Sequence, residues 1–132
     1  MNQEVKKRWV EALRSGKYKQ GEQCLTQIDD DGQRLYCCLG VLCDLAAKEL
    51  PDLEKGEKEV HLEMRGKPVK AVMYGTENEV SILPRKVIEW AGLSDPNPRV
   101  KTNNENKFML SELNDSMKYK FNQIADLIEK QL

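Results

Sequence analysis

Long apolar runs are missing from this sequence. No stretch approaches the ~20 consecutive apolar residues that span a bilayer, and 33% of the chain is charged, so no membrane partner is expected. The first residues, MNQEVKKRWVEALRSG, carry basic side chains without the apolar stretch and small-residue cleavage site of a secretory signal. A cytoplasmic location is the expectation. A strong excess of either charge is also missing. The formal net charge is −1, whereas a dedicated nucleic-acid binder is usually basic across its whole domain, so nucleic acid is not an expected partner. Histidine is nearly absent, His61 being the only one. In a reducing compartment the four cysteines are expected as thiols, and the adjacent pair Cys37 and Cys38 is poorly placed to bridge to itself.

Familiar ligand motifs are lacking too. The run Asp29-Asp30-Asp31-Gly32 suggests calcium, but an EF-hand counted from Asp29 needs glycine at its sixth position and glutamate at its twelfth. Those places hold Arg34 and Gly40. The stretch GKYKQGEQ spaces its glycines like a phosphate-binding loop, yet Glu22 stands where lysine must reach the phosphates. Structural zinc needs paired thiolate or imidazole ligands. Cys37 and Cys38 point apart if extended, and Cys43 lies further along a predicted helix. No metal and no cofactor is therefore expected.

What is present reads as one domain over residues 1–132, long enough to bury roughly two thirds of its unfolded surface. Val5, Trp9, Ala12 and Leu13 recur at helical spacing and predict a helix over 3–15 that Gly16 ends. CLTQIDDDGQRLYC predicts a hairpin around Asp-Gly. Leu39, Leu42, Cys43, Ala46 and Leu50 share one face of a predicted helix over 38–50, stopped by Pro51. After an acidic loop, Val60, Leu62 and Met64, then Val69, Ala71 and Met73, alternate around Arg65-Gly66-Lys67 and predict a second hairpin. ENEVSIL offers another short strand. LPRKVIEWAGL predicts a helix with Pro84 in its first turn and Gly92 as C-cap. The turn-rich SDPNPRVKTNNEN leads to LSELND, and Phe121, Ile124, Ala125, Ile128 and Leu132 form a last helical stripe. The fold class is α+β: a single compact domain with about four helices and a small, mainly antiparallel sheet.

The small net charge hides an asymmetry. Residues 1–20 hold Lys6, Lys7, Arg8, Arg14, Lys17 and Lys19 against Glu4 and Glu11, while residues 44–63 hold Asp44, Glu49, Asp52, Glu54, Glu57, Glu59 and Glu63 against three lysines. Loops on a rigid scaffold are where binding concentrates, and the basic end contains one. Arg14, Lys17, Tyr18, Lys19 and Gln20 offer positive charge, an aromatic face and an amide, a set suited to a phosphate-bearing or nucleotide-like ligand or to an acidic protein surface. The cysteines have two readings. As core residues they are small hydrophobes. As chemistry, Cys37 or Cys38 at a helix N-terminus with His61 as its base would make a thiol hydrolase or transferase.

The combination RWVEALRSGKYKQG, YCCLGVLCDLA, LPRKVIEWAGL, LSELNDS and FNQIADLIE resembles, over nearly the whole chain and in the same order, a widespread group of small bacteriophage and prophage proteins. The resemblance implies a viral accessory origin and supplies no activity. It also implies Ser or Thr immediately before Phe121; this sequence has Lys120, and a cap weaker by ~1 kcal/mol is the expectation. With no catalytic set, the leading expectation is a non-catalytic phage-type binding protein, a counter-defence protein acting stoichiometrically on a host protein or a nucleotide-like ligand in the host cytoplasm. The cysteine enzyme is one alternative. A homo-oligomeric structural or assembly protein, if Trp9 or Trp90 is exposed, is the other.

Overall fold

In the computed structural model, which describes residues 1–62, 65–103 and 105–132, the first helix α1 (Gln3–Arg14) is started by Asn2, whose Oδ1 accepts from the Val5 N–H at 3.0 Å. That bond satisfies one of the donors left over at a helix start, and Glu4 near the start and Arg14 near the end suit the helix dipole. Its buried residues are Val5, Trp9, Val10 and Leu13. Val10 joins the expected stripe and Ala12 is only partly covered, because α1 packs against two helices and needs a broad apolar face.

The hairpin of β1 (Thr26–Ile28) and β2 (Arg34–Tyr36) forms where Asp-Gly predicts it. Asp29 Oδ1 closes the turn, accepting from the Asp31 N–H at 3.0 Å and the Gln33 N–H at 2.8 Å, a side chain replacing a backbone turn partner. Helix α2 (Cys38–Glu49) follows. Cys38, Leu39, Gly40, Val41, Leu42, Cys43 and Ala46 are all buried, so its first two turns are apolar all round, as a central core helix must be. Gly40 is required here: a Cβ would stand 1.6 Å from the Leu25 carbonyl oxygen, so the chain entering β1 lies directly on the helix backbone.

Strands β3 (Lys55–Val60) and β4 (Val69–Tyr74) complete a four-stranded antiparallel sheet in the order β2-β1-β4-β3. Here the expectation needs correcting. The strand paired with β4 is KGEKEV, registered Lys55 to Tyr74 and Val60 to Val69, and occupies much of the segment read as an acidic loop. It ends at Val60; Leu62 lies beyond it, and Met64 falls outside the described residues. An outer strand has little to bury, so charged residues serve it well and also discourage edge-to-edge pairing. ENEVSIL is not a strand. It contributes one bridge, in which Tyr74 and Glu79 exchange backbone bonds of 2.9 and 3.0 Å.

Helix α3 (Arg85–Ala91) has Pro84 as its N-cap rather than inside its first turn, and ends at Gly92 with φ +67°, a left-handed position that glycine adopts without strain. The segment expected to be a connection contains β5 (Arg99–Lys101), which pairs with β6 (Lys107–Met109). Directly after β6, LSELND forms a further helix, α4 (Leu110–Asp115), which is not among the expected elements. The Glu112 carboxylate accepts from the Met109 N–H at 3.0 Å and starts it. Helix α5 (Phe121–Gln131) buries Phe121, Ile124, Ala125 and Ile128 against α1. The α+β architecture with a small antiparallel sheet is as expected, and of the five helices among the described residues four are in the expected places. Trp9 is fully buried, its Nε1–H donating to the Cys38 carbonyl at 3.0 Å. Trp90 is half-buried beneath the Arg8 guanidinium and donates to Glu49 at 2.8 Å. Neither offers the exposed surface that the assembly reading requires. No helix among the described residues is long and apolar enough to cross a membrane.

Candidate ligand-binding cleft

The five residues 14, 17, 18, 19 and 20 turn to different partners. Arg14 turns to α5 and pairs with Asp126 at 2.6 Å and Glu129 at 3.2 Å. Lys17 is exposed. Tyr18 packs edge-on against Tyr36, with centroids 4.9 Å apart, and its hydroxyl donates to the Asp44 carboxylate. The Lys19 ammonium donates to Gln33 at 2.9 Å. After the left-handed turn at Gly16 the loop gives these side chains separate partners.

The thiols are equally far from what catalysis asks of them. Cys24, Cys37, Cys38 and Cys43 are at most 3% exposed, and Cys38 Sγ donates to the Leu110 carbonyl at 3.6 Å. Burial pushes the Cys24 thiol up to about 11 and the Cys37 thiol up to about 12, and raises Cys38 and Cys43 as well. A nucleophilic cysteine needs the opposite shift and access to solvent. His61 is exposed just past β3, beside Glu22, Gln23 and Asp115, and among the described residues no hydrogen bond joins it to Cys37 or Cys38. Also among the described residues, no three His, Cys, Asp or Glu side chains are grouped to hold a metal ion.

Gln20 is the one member of the set that reaches a structured site. Its Nε2 donates to Asn114 Oδ1 and to the Tyr119 carbonyl, both at 2.9 Å, and its Oε1 accepts from the Phe121 N–H at 3.1 Å. The last bond corrects the expectation of a weak cap on α5. Gln20 supplies the cap from the α1–β1 connection, while Gln123 Oε1 accepts from the Lys120 N–H at 2.8 Å, so Lys120 need not cap. Asn114 is 1% exposed. Its Oδ1 also accepts from the Cys38 N–H at 3.2 Å, and its Nδ2 donates to the Gly21 carbonyl and to Asp115, both at 2.8 Å. These two amides bind the starts of α2 and α5 to the loop before β1.

The amide pair forms one wall of a cleft of about 260 Å³ lined by Gln20, Gly21, Glu22, Gln27, Leu35, Arg65, Asn114, Lys118, Tyr119 and Lys120. Gln27, on β1 and 4% exposed, donates to the Glu22 carbonyl at 2.8 Å. Three cations, Arg65, Lys118 and Lys120, face one carboxylate, Glu22, across this space. Lys118 is bound by that carboxylate, with both oxygens 2.7 Å from its ammonium. Arg65 and Lys120 form no ion pair with another described residue. A neighbouring cleft of about 360 Å³ shares Gln27, Leu35 and Arg65 with it. Of the residues the sequence offers as a binding set, Gln20 alone lines this cleft, and Asn114, Lys118, Lys120 and Arg65 are not among them. No local spacing marks them, since Gln20 and Asn114 are 94 positions apart.

No curated protein and no solved structure matches the chain. One family model, that of a domain of unknown function designated DUF8296, matches residues 1–132, which include every element that builds the cleft, and the chain belongs to that family.

Proposed function

We propose that this chain is a non-catalytic binding protein that captures a nucleotide-like ligand in the cleft between the α1–β1 connection and the α4–α5 connection. The observation that carries this reading is the excess of cations over carboxylates in one concave site, beside the half-buried ring of Tyr119. Small-molecule sites usually occupy ~300–1,000 Å³. The cleft of about 260 Å³ is just under that range, and the adjoining space of about 360 Å³ brings the pair within it. The resemblance to bacteriophage and prophage proteins supports a viral accessory role, a counter-defence protein working stoichiometrically in the cytoplasm of a bacterial host. The buried, proton-holding thiols supply no nucleophile for the hydrolase alternative.

Titration calorimetry of the purified chain against linear and cyclic nucleotides, run beside capture from a bacterial host lysate, tests the reading. Saturable binding of one nucleotide class at one ligand per chain is expected. A stoichiometric protein complex without any nucleotide binding would move the function to an acidic host surface, and no complex in either arm would contradict a binding role.

A further inference from the structure

We infer that the Glu22 carboxylate is a built-in occupant of the anion position in this cleft, and that the ligand recognised there bears a phosphate group that displaces it. The inference rests on the reading of the cleft as a ligand site and specifies its ligand chemistry and its regulation. Both Glu22 oxygens accept from the Lys118 ammonium at 2.7 Å, the arrangement an anionic ligand would adopt with that lysine. The pair also stands at the boundary of two spaces, because Glu22 and Lys118 line both the amide-walled cleft and the one containing His61 and Asp115.

The backbone holds both partners in place. Lys118 itself has φ +58°, and Gln23, directly after Glu22, has φ +71°. Left-handed conformations are uncommon away from glycine, and such outliers cluster at ligand clamps. Gln27 fixes Glu22 further by donating to its carbonyl at 2.8 Å. The side-chain contact, by contrast, is open to exchange. With side-chain exposures of 37% for Glu22 and 64% for Lys118, the ion pair is screened by water and salt and contributes little.

Charge favours a phosphate as the displacing group. One carboxylate leaves the three cations of the cleft undercompensated, whereas a phosphate monoester brings a charge of about −1.5 to −2 at neutral pH and three acceptor oxygens. Gln20 and Asn114 already have all their polar atoms engaged within the protein. They shape the wall, and recognition falls to the cations.

The test is titration of the wild-type chain, Glu22→Gln and Lys118→Met with inorganic phosphate, adenosine monophosphate and adenosine, with thermal melts confirming that each variant folds. Both phosphate-bearing probes are expected to bind the wild type, adenosine is not, and affinity is expected to fall with added salt. Glu22→Gln removes the internal competitor and binds about two- to fivefold tighter, while Lys118→Met loses most of the affinity. A nucleotide source for the group gives tighter binding of the monophosphate than of inorganic phosphate; equal binding of the two assigns the site to the phosphate alone, and both results keep the inference. Unchanged or weaker binding by Glu22→Gln overturns the displacement and leaves the cleft as the ligand site. No binding of any probe to any of the three proteins overturns both.

Discussion

Asn114 fills both lone pairs of its oxygen and both N–H bonds of its amide inside the protein. Replacement by leucine would leave the Cys38 N–H, the Gly21 carbonyl and the Gln20 amide without their partner. A buried polar group stranded in this way costs ~1–3 kcal/mol, so Asn114→Leu is expected to destabilise the fold by about 2–5 kcal/mol in urea unfolding. A loss under ~0.5 kcal/mol would show that the network is not structural. The thiols give a second residue-level prediction. Unfolded, they ionise near their ordinary value of 9.0, whereas burial holds Cys24 at about 11 and Cys37 at about 12. The folded state therefore keeps protons that the unfolded state releases. Stability is full below about pH 9 and declines as the pH rises through those raised values. The raised Tyr18 and Tyr74 hydroxyls act in the same direction. Urea midpoints measured from about pH 7 to about pH 11 are expected to fall above pH 9, and native alkylation of all four thiols is expected to be slow. A rapidly alkylated thiol would revive the enzyme reading.

At the scale of elements, α2 decides stability. Leu42 is fully buried at its centre, so Leu42→Ala is expected to cost about 2–5 kcal/mol. Gly40→Ala should prevent folding altogether, because the added methyl would meet a backbone carbonyl and not a side chain that can turn away. A thermal melt of either variant that matches the wild type would remove α2 from the core. The same helix shows why this architecture was legible. Its start is a continuous apolar run, as in a fully covered helix, and the apolar residues of α1 and α5 repeat at the helical period, as in helices buried along one face. β3 escaped because it is an outer strand whose residues have no common reason to be apolar. α4 escaped because it is short and begins directly after β6. The cap on α5 escaped because Gln20 supplies it across 101 positions, and no local motif records such a distance.

On the whole molecule, the basic N-terminal end that the sequence offers as a binding surface is partly neutralised by folding. α5 brings Asp126 and Glu129 to Arg14, and α2 brings Glu49 to Arg8. Folding gathers other cations, from the β3–β4 and α4–α5 connections, around the Gln20–Asn114 wall. Of the candidate site only Gln20 was thus readable in the sequence, while the charges of the site depend on tertiary structure. This cleft, and not the loop of Lys17 and Tyr18, is the site proposed to receive the ligand. The most direct measurement is a backbone amide NMR titration of the intact chain with adenosine monophosphate. Saturable shifts centred on Gln20, Gly21, Glu22, Leu35, Tyr119 and Lys120 are predicted, with Lys17 and Tyr18 little affected. Shifts centred on residues 14–19, or no saturable shift anywhere, would contradict the claim.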